Sequence, residues 1–190
     1  LARMLEQSPG TRITTAQLAA ALDVSEAALY RQFPSKARMY EGLLDFIEDV
    51  LFTRVRVIID EEPDALNRCG KIMQLLLTFA ARNPGMSRLL IGDALIGEDE
   101  RLANRVNQIF ERLDMQLRQV LREGVLNAQK PLVLDVNACA NILLALVEGR
   151  VRQYVRSNFK QSPVAQWEEQ WELLRYSLSS KELKRSAAIA

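Results

Sequence analysis

Histidine is absent from this sequence, and cysteine occurs only twice. Histidine is the commonest general base and a frequent metal ligand, so its absence argues against a hydrolase triad and against a zinc site. Cys69 and Cys139 lie far apart within apolar helical patterns and form no Cys-x-x-Cys pair, so we expect two buried thiols in a reducing compartment. The sequence therefore predicts a protein that is not an enzyme and that holds no metal and no cofactor.

Long hydrophobic runs and a strong net charge are missing as well. No apolar run approaches the roughly 20 residues that a membrane span needs, and the first residues do not resemble a signal peptide. The formal net charge of +1 neither supports nor excludes nucleic acid, because the distribution of charge over a face is what matters. We expect a soluble, cytoplasmic protein. Since Leu1 falls inside an apparent helix with no initiator Met, we also expect that an upstream segment is missing.

Helical patterns fill most of the chain, because apolar residues recur at intervals of three and four and the β-like runs are short. The sequence therefore predicts an all-α fold. The predicted helices span residues 1–7, 16–22, 26–32, 36–60, 64–82, 84–91, 99–123, 135–159 and 163–179. Residues 124–131 are predicted to form a loop, and residues 181–190 carry no apolar stripe and should fray.

Two of these helices, 16–22 and 26–32, are only about two turns long and flank a tight turn, which is typical of a helix-turn-helix. Ala19 and Ala20 would allow the two helices to approach closely. A small core is predicted from Leu18, Leu22, Val24, Ala28, Leu29 and Phe33. The outward face of the second helix would then be free to enter a major groove about 12 Å wide. A plain helical hairpin, in which Ser and Thr are only caps, is the alternative.

Candidate DNA-binding residues follow from this arrangement. The outward side chains of the second short helix are Ser25, Glu26, Ala27, Tyr30 and Arg31. Groups suited to phosphate surround them, namely the hydroxyls of Thr14, Thr15 and Tyr30 and the ammonium of Lys36.

The run Leu29-Tyr-Arg-Gln-Phe-Pro-Ser-Lys36, with Tyr-x-x-Phe followed by a small residue and a Lys at a helix start, resembles the TetR family of bacterial regulators. The resemblance implies three short N-terminal helices, a connecting fourth helix and a helical C-terminal domain whose last two helices dimerise as a four-helix bundle. We accordingly expect a DNA-binding domain over residues 1–41 with a truncated N-terminus, a partner-binding and dimerisation domain over 42–180, and a tail over 181–190.

A dimer would present two helix-turn-helix units to half-sites about 34–36 Å apart, so a palindromic duplex is the expected ligand. The apolar stripes that would form the bundle are Val136, Ala140, Leu143, Leu144, Val147 and Val151 on one helix and Trp167, Trp171, Leu174 and Leu178 on the other. The same stripes would serve equally well as core within one chain, and their spacing does not decide between these alternatives.

Further stretches resemble one branch of the family, whose members act in nucleoid occlusion. They include residues 12–16, 24–31, 46–49, 82–85, 107–112 and 116–123, and the resemblance weakens beyond residue 123. It implies that the dimer, bound to chromosomal sites in the nucleoid, binds the tubulin-like division protein FtsZ and antagonises its ring. The positions that match the FtsZ-binding surface are Phe46, Arg54, Leu75, Arg82 and Asn83.

Each of these five residues also has an ordinary structural explanation. Arg54 interrupts an apolar stripe, which fits a stem that packs while its charged head reaches solvent. Phe46 fits an exposed anchor or a core residue, and Leu75 fits the core. Arg82 and Asn83 fit a helix end. The alternative function is a ligand-responsive repressor, which requires a sizeable pocket. We expect no small-molecule ligand, since few polar residues fall at buried positions.

Overall fold

A computed structural model describes residues 1–7, 13–127 and 132–179. Over these residues the chain is all-α, as predicted. The helices are α1 (Ala2–Gln7), α2 (Thr15–Ala21), α3 (Glu26–Gln32), α4 (Lys36–Glu61), α5 (Ala65–Arg82), α6 (Pro84–Leu90), α7 (Glu100–Leu126), α8 (Val136–Arg156) and α9 (Trp167–Ser179), with a short 3-10 helix at Asp93–Leu95. Half of the predicted loop, residues 128–131, and the tail at 181–190 lie outside the described residues.

Most helices begin where a short polar side chain caps them. The caps that accept a backbone N–H of their own helix are Thr14, Ser25, Ser35, Asp64, Asp99 and Asp135. Thr14 forms a reciprocal capping box with Gln17, so two otherwise unpaired N–H groups are satisfied. These contacts span at most three residues, which is why the sequence pattern located the helix starts so closely.

Three predicted helix ends are wrong. Helix α7 continues through Gly124 to Leu126, into the predicted loop, and Gly124 is buried there. Helix α8 ends at Arg156 because the residues after Ser157 have positive φ. Helix α9 begins at Trp167 rather than at residue 163, because the preceding residues form turns. The Arg150 side chain holds these turns by donating to the carbonyl oxygen of Pro163 at 2.7 Å.

Helix α5 lies at the centre and packs against α4, α6, α7, α8 and α9. We call the six helices α4 to α9 the body. The inner face of α5 is fully buried, including Cys69, Ile72, Met73 and Leu77. Both cysteines are buried free thiols, as expected, and burial raises the pKa of Cys69 to about 12. None of the described helices is both long and apolar enough to cross a membrane.

Helices α1 to α3, which we call the N-terminal unit, attach to the body mainly through packing of α1 on α6. Gly85 of α6 lies directly against the backbone carbonyl of Ala2, where any side chain would overlap. Arg88 is buried, pairs with Asp93 and donates through Nη1 to the carbonyl oxygen of Leu5 at 2.8 Å. A buried guanidinium is costly unless it is paired and hydrogen-bonded, so these partners define one orientation of α1.

The predicted small core of the helix-turn-helix is only partly correct. Leu18, Ala19 and Leu29 are buried, but Leu22, Val24 and Phe33 are 59%, 44% and 42% exposed. Ala20 is exposed and Ala28 is half-buried. Two seven-residue helices offer too little facing surface to cover all these side chains. The other buried side chains of this region lie outside α2 and α3, at Leu5, Ile13, Met39 and Tyr40.

The predicted dimer stripes belong to the core of a single chain. Nearly all of them are buried within the protomer, namely Ala140, Leu143, Leu144, Val147, Val151, Trp167, Trp171 and Leu178. Helix α9 packs so closely on α5 that a side chain at Gly70 would overlap the indole of Trp171. The intramolecular alternative is therefore correct for these residues. The large apolar side chains that α8 and α9 leave exposed are Ile142, Leu173 and Tyr176.

Candidate nucleic-acid and partner interfaces

The turn between α2 and α3 is held by local backbone contacts. Asp23 adopts a left-handed conformation with φ 54°, which Asp tolerates better than most residues. The N–H of Val24 donates back to the carbonyl oxygen of Ala19 at 3.0 Å. Ser25 then caps α3 by accepting the N–H of Ala28 at 3.1 Å. The chain therefore leaves α2 in one direction and starts α3 with its outer face in solvent.

The residues predicted for the major groove share this outer face. Ser25, Glu26, Ala27, Tyr30 and Arg31 are all exposed, and we call them the groove face. Thr14 is exposed and Thr15 half-buried beside them. The Tyr30 hydroxyl donates to Oγ1 of Thr15 at 3.3 Å, and Thr15 donates to Oε2 of Glu26 at 2.9 Å. The structure thus connects three predicted DNA-binding residues in one hydrogen-bonded chain, which the sequence pattern did not indicate.

Lys36 has a different environment from the one predicted. Its ammonium pairs with Glu98, and the side chains of the two residues are only 15% and 8% exposed. It also lies 5.6 Å from the centre of the Tyr40 ring. A phosphate would have to compete with this carboxylate, so the structure favours a role in anchoring the start of α4 to the segment before α7.

The residues predicted to bind FtsZ lie on α4 and α5. Phe46 is 50% exposed, Arg54 and Arg82 are exposed, and Leu75 and Asn83 are half-buried. Among the described residues, neither Arg54 nor Arg82 has an ion-pair partner. The Asn83 side chain donates to the carbonyl oxygen of Phe79 at 2.8 Å, which closes the end of α5. We call these five residues the α4–α5 surface.

The short connection between α4 and α5 determines which of these residues lie at the same height along the two helices. The two helices pack against each other, and Leu51 lines the same cavity as Leu76 and Phe79. At 1.5 Å per residue, Phe46 lies about 7.5 Å before Leu51 along α4, and Arg82 lies about 4.5 Å beyond Phe79 along α5. Phe46 therefore lies towards the Arg82 end of α5, and Arg54 lies towards Leu75.

The opposite flank of α4 is held to α7 by ion pairs. Arg105 contacts Asp45 at 2.9 Å and Glu48 at 2.6 Å. Arg112 also pairs with Glu48, and its guanidinium lies 3.8 Å from the centre of the Phe52 ring. These four charged side chains are therefore neutralised within the protein, in contrast to Arg54.

An apolar cavity of about 180 Å³ lies among α4 to α8, with Asn107, Glu148 and Arg152 among its polar lining. Binding sites for drug-sized molecules usually measure about 300–1,000 Å³. This cavity lies below that range. The described residues also contain no group of three or more side chains arranged to hold a metal ion.

Comparison with known proteins agrees with the fold and with the helix-turn-helix. Residues 2–43 match the model of bacterial regulatory proteins of the TetR family, and residues 63–179 match the SlmA-like model of the tetracycline repressor-like C-terminal domain. The chain belongs to the TetR family, whose members are helical DNA-binding regulators rather than enzymes. The predicted family, fold class and non-enzymatic class are confirmed.

Within the TetR family, the chain is similar to the nucleoid occlusion factors called SlmA. The chain is 57% identical over 178 residues to the nucleoid occlusion factor SlmA of Shewanella woodyi, covering 94% of this chain and 90% of that protein. The protein of the same name from Shewanella loihica matches equally well, with 57% identity over the same lengths. The chain therefore belongs to the SlmA branch, and the similarity extends well beyond residue 123, where the sequence patterns indicated that it weakens.

Solved structures at low identity share the fold alone. The ketosteroid regulator KstR2 of Mycobacterium tuberculosis has a TM-score of 0.75 at 19% identity, covering 95% of this chain and 91% of that chain. FadR of Bacillus subtilis, solved with stearoyl-CoA, has a TM-score of 0.72 at 16% identity, covering 93% and 95%.

Proposed function

We propose that this protein is a nucleoid occlusion factor: a homodimer that binds palindromic chromosomal sites and, from there, binds FtsZ and antagonises Z-ring assembly over the nucleoid. This places it in the cytoplasm, in association with the nucleoid. The observation that supports this proposal most strongly is the 57% identity to SlmA proteins over 94% of the chain. Such similarity across both family domains supports a shared activity as well as a shared fold.

The DNA-binding part of the proposal rests on the groove face together with Thr14 and Thr15. These residues are polar or small and project from α3 and the start of α2, where a recognition helix meets base edges and phosphates. Arg31 supplies an exposed cation at the end of α3. Lys36 is a weaker candidate, since it already pairs with Glu98.

The partner-binding part rests on the α4–α5 surface. Phe46 offers an exposed aromatic ring, and Arg54 and Arg82 offer cations whose charge no described carboxylate neutralises through an ion pair. Aromatic and arginine side chains are the residues that most often contribute strongly at protein interfaces. The surface therefore fits a peptide segment of FtsZ that carries both apolar and acidic groups.

Dimerisation through α8 and α9 is proposed for the side that faces away from α5. Ile142 of α8 and Leu173 and Tyr176 of α9 are exposed there. This assignment replaces the apolar stripes that the sequence indicated, which pack inside the protomer.

The decisive experiment combines the purified protein, a palindromic duplex selected by the protein and FtsZ polymers assembled with GTP. We expect disassembly, measured by light scattering and sedimentation, only when both protein and duplex are present. Arg54→Asp should bind the duplex normally and lose the effect on FtsZ. Arg56→Asp is the matched control, because Arg56 is an exposed cation on the α7 side of the same helix.

Undiminished FtsZ polymers in the presence of protein and duplex would contradict the proposed function and favour a repressor. An equal loss of activity in Arg54→Asp and Arg56→Asp would mean that the α4–α5 surface is misassigned.

A further inference from the structure

Glu26 is the one anionic side chain among the residues assigned to DNA. It is exposed on the first turn of α3 and belongs to the groove face. A carboxylate near phosphates opposes binding, because affinity for DNA depends on neutralising phosphate charge. The positive end of the α3 dipole stabilises a carboxylate in this first turn, but it does not remove the repulsion from phosphate, so a favourable partner on the DNA is needed as well.

No cation in the described residues forms an ion pair with Glu26, although Arg31 lies on the same helix. An intramolecular salt bridge consequently does not explain the carboxylate. Among the described residues, its hydrogen-bond donor is the hydroxyl of Thr15, which donates to Oε2 at 2.9 Å.

That contact orients the carboxylate. Thr15 uses its single hydroxyl hydrogen on Glu26, and its oxygen in turn accepts from the Tyr30 hydroxyl at 3.3 Å. The three side chains therefore form a directed chain of donors that ends at Glu26. With Oε2 engaged, Oε1 offers lone pairs to solvent at the surface where a base edge would lie.

An ionised carboxylate only accepts hydrogen bonds, so the DNA base that Glu26 contacts must present a donor in the major groove. Cytosine offers its N4 amino group and adenine its N6 amino group, whereas guanine and thymine offer acceptors there. Adenine also places the N7 acceptor beside its amino group, which repels a carboxylate. Cytosine has no acceptor on that edge and is the better match.

We propose that Glu26 is a specificity-determining residue that accepts a hydrogen bond from the N4 amino group of a cytosine in each half-site. Thr15 and Tyr30 are positioning residues that hold its carboxylate, instead of the phosphate ligands that the sequence indicated. The inference rests on the DNA-binding part of the proposed function. It adds a base preference and a residue that imposes it.

The test selects duplexes from a randomised pool with the full chain, then measures affinity for the selected duplex by fluorescence anisotropy. Each C·G pair of the half-site is changed in turn to T·A, in both halves together, which exchanges the N4 donor for an O4 acceptor. We expect one such change to weaken binding by the unmodified chain roughly 5-fold or more. Glu26→Gln and Glu26→Ala should lose this discrimination at that position and keep it elsewhere.

Asp23→Asn is the matched control for charge. Asp23 is exposed two residues before the cap of α3, and Asn also tolerates its positive φ. It should leave every base preference unchanged. Tyr30→Phe, which removes the first donor of the chain, should reduce the cytosine preference without abolishing it.

Circular dichroism and gel filtration should show that the Glu26 variants fold and dimerise as the unmodified chain does, since the side chain is exposed. Unchanged base preferences in both Glu26 variants would overturn the inference while leaving DNA binding intact. A preference for a base other than cytosine at the affected position would also overturn it. If the unmodified chain selects no sequence, the DNA-binding part of the proposed function fails, and the role of Glu26 fails with it.

Discussion

The N-terminal unit and the body bury their apolar side chains to different extents. In the body, the stripes of α5, α7 and α8 are covered almost completely by neighbouring helices. In the N-terminal unit, Leu22, Val24 and Phe33 stay exposed, and the buried set is small. The unit therefore depends on the body for much of its order, through α1 packed on α6 and through the hydrogen bond from Arg88 to the carbonyl oxygen of Leu5. Its orientation is set by contacts far from the groove face, whereas its chemistry comes from its own exposed side chains.

The sharpest way to break this dependence is Arg88→Ala. It removes the buried guanidinium that pairs with Asp93 and donates to the Leu5 carbonyl oxygen. The change leaves the carbonyl oxygen of Leu5 without its buried donor, which costs about 1–3 kcal/mol, and it leaves a void where the buried side chain was, which adds to that cost. We therefore expect a large fall in the free energy of unfolding, measured with urea, and loss of DNA binding. Arg101→Ala removes an arginine whose side chain is 76% exposed, and should leave the melting temperature unchanged. Similar stability for both variants would contradict the role assigned to Arg88.

A second change moves α1 without removing a charge. Gly85→Ala places a methyl group against the backbone carbonyl of Ala2, so α1 must shift from α6. Such overpacking costs about 1–3 kcal/mol, and we expect duplex affinity to fall while circular dichroism shows a helical body. Gly42→Ala is the control, because nothing lies within 4 Å of its added methyl group. It should stabilise α4 by about 0.5–1 kcal/mol. Normal DNA binding by Gly85→Ala would show that α1 packing does not orient the groove face.

Substituting Lys36 and Glu98 in turn distinguishes a role of Lys36 in anchoring α4 from a role in binding phosphate. If the pair anchors α4, Lys36→Met and Glu98→Gln should lower duplex affinity to a similar extent, with an unchanged salt dependence. If Lys36 binds phosphate, only Lys36→Met should reduce the slope of log affinity against log salt, by about 1. Anisotropy titrations at several salt concentrations distinguish these results.

The smallest expected effect concerns the cap of α2. Thr14→Ala removes the capping box with Gln17 and should cost about 0.5–1 kcal/mol. DNA affinity should weaken while the dimer, measured by gel filtration, persists. Asp135→Ala removes the comparable cap of α8 in the body and should leave DNA affinity unchanged. An equal loss of affinity in both variants would mean that general destabilisation, rather than the start of α2, is responsible.

The residues that sequence reasoning placed well are those whose partners lie close in the chain. Ser25 and Thr14 cap α3 and α2 through contacts three residues away. The fate of Lys36 was not predictable in this way, because Glu98 lies 62 positions along the chain. Arg88 was missed altogether, since its partner Leu5 is 83 positions away and its spacing resembles that of an ordinary helix-end cation.

The same difference, between partners close in the chain and partners far along it, applies to the candidate interfaces. Exposure of the groove face followed from the pattern of α2 and α3, but the bonds among Tyr30, Thr15 and Glu26 connect residues 11 and 15 positions apart on two helices. The α4–α5 surface came from resemblance, and its residues remain proposals.

The sequence by itself determined the all-α class, the starts of most helices and the helix-turn-helix, because capping and helical periodicity act within a few residues. Tertiary structure alone decided which apolar stripes face inward, because burial depends on which other helices arrive. That is why Trp167 and Trp171 pack on α5 instead of facing a second copy, and why Leu22 and Phe33 remain exposed. It also decided which charges are neutralised, leaving Glu26 and Arg54 exposed without an ion pair among the described residues.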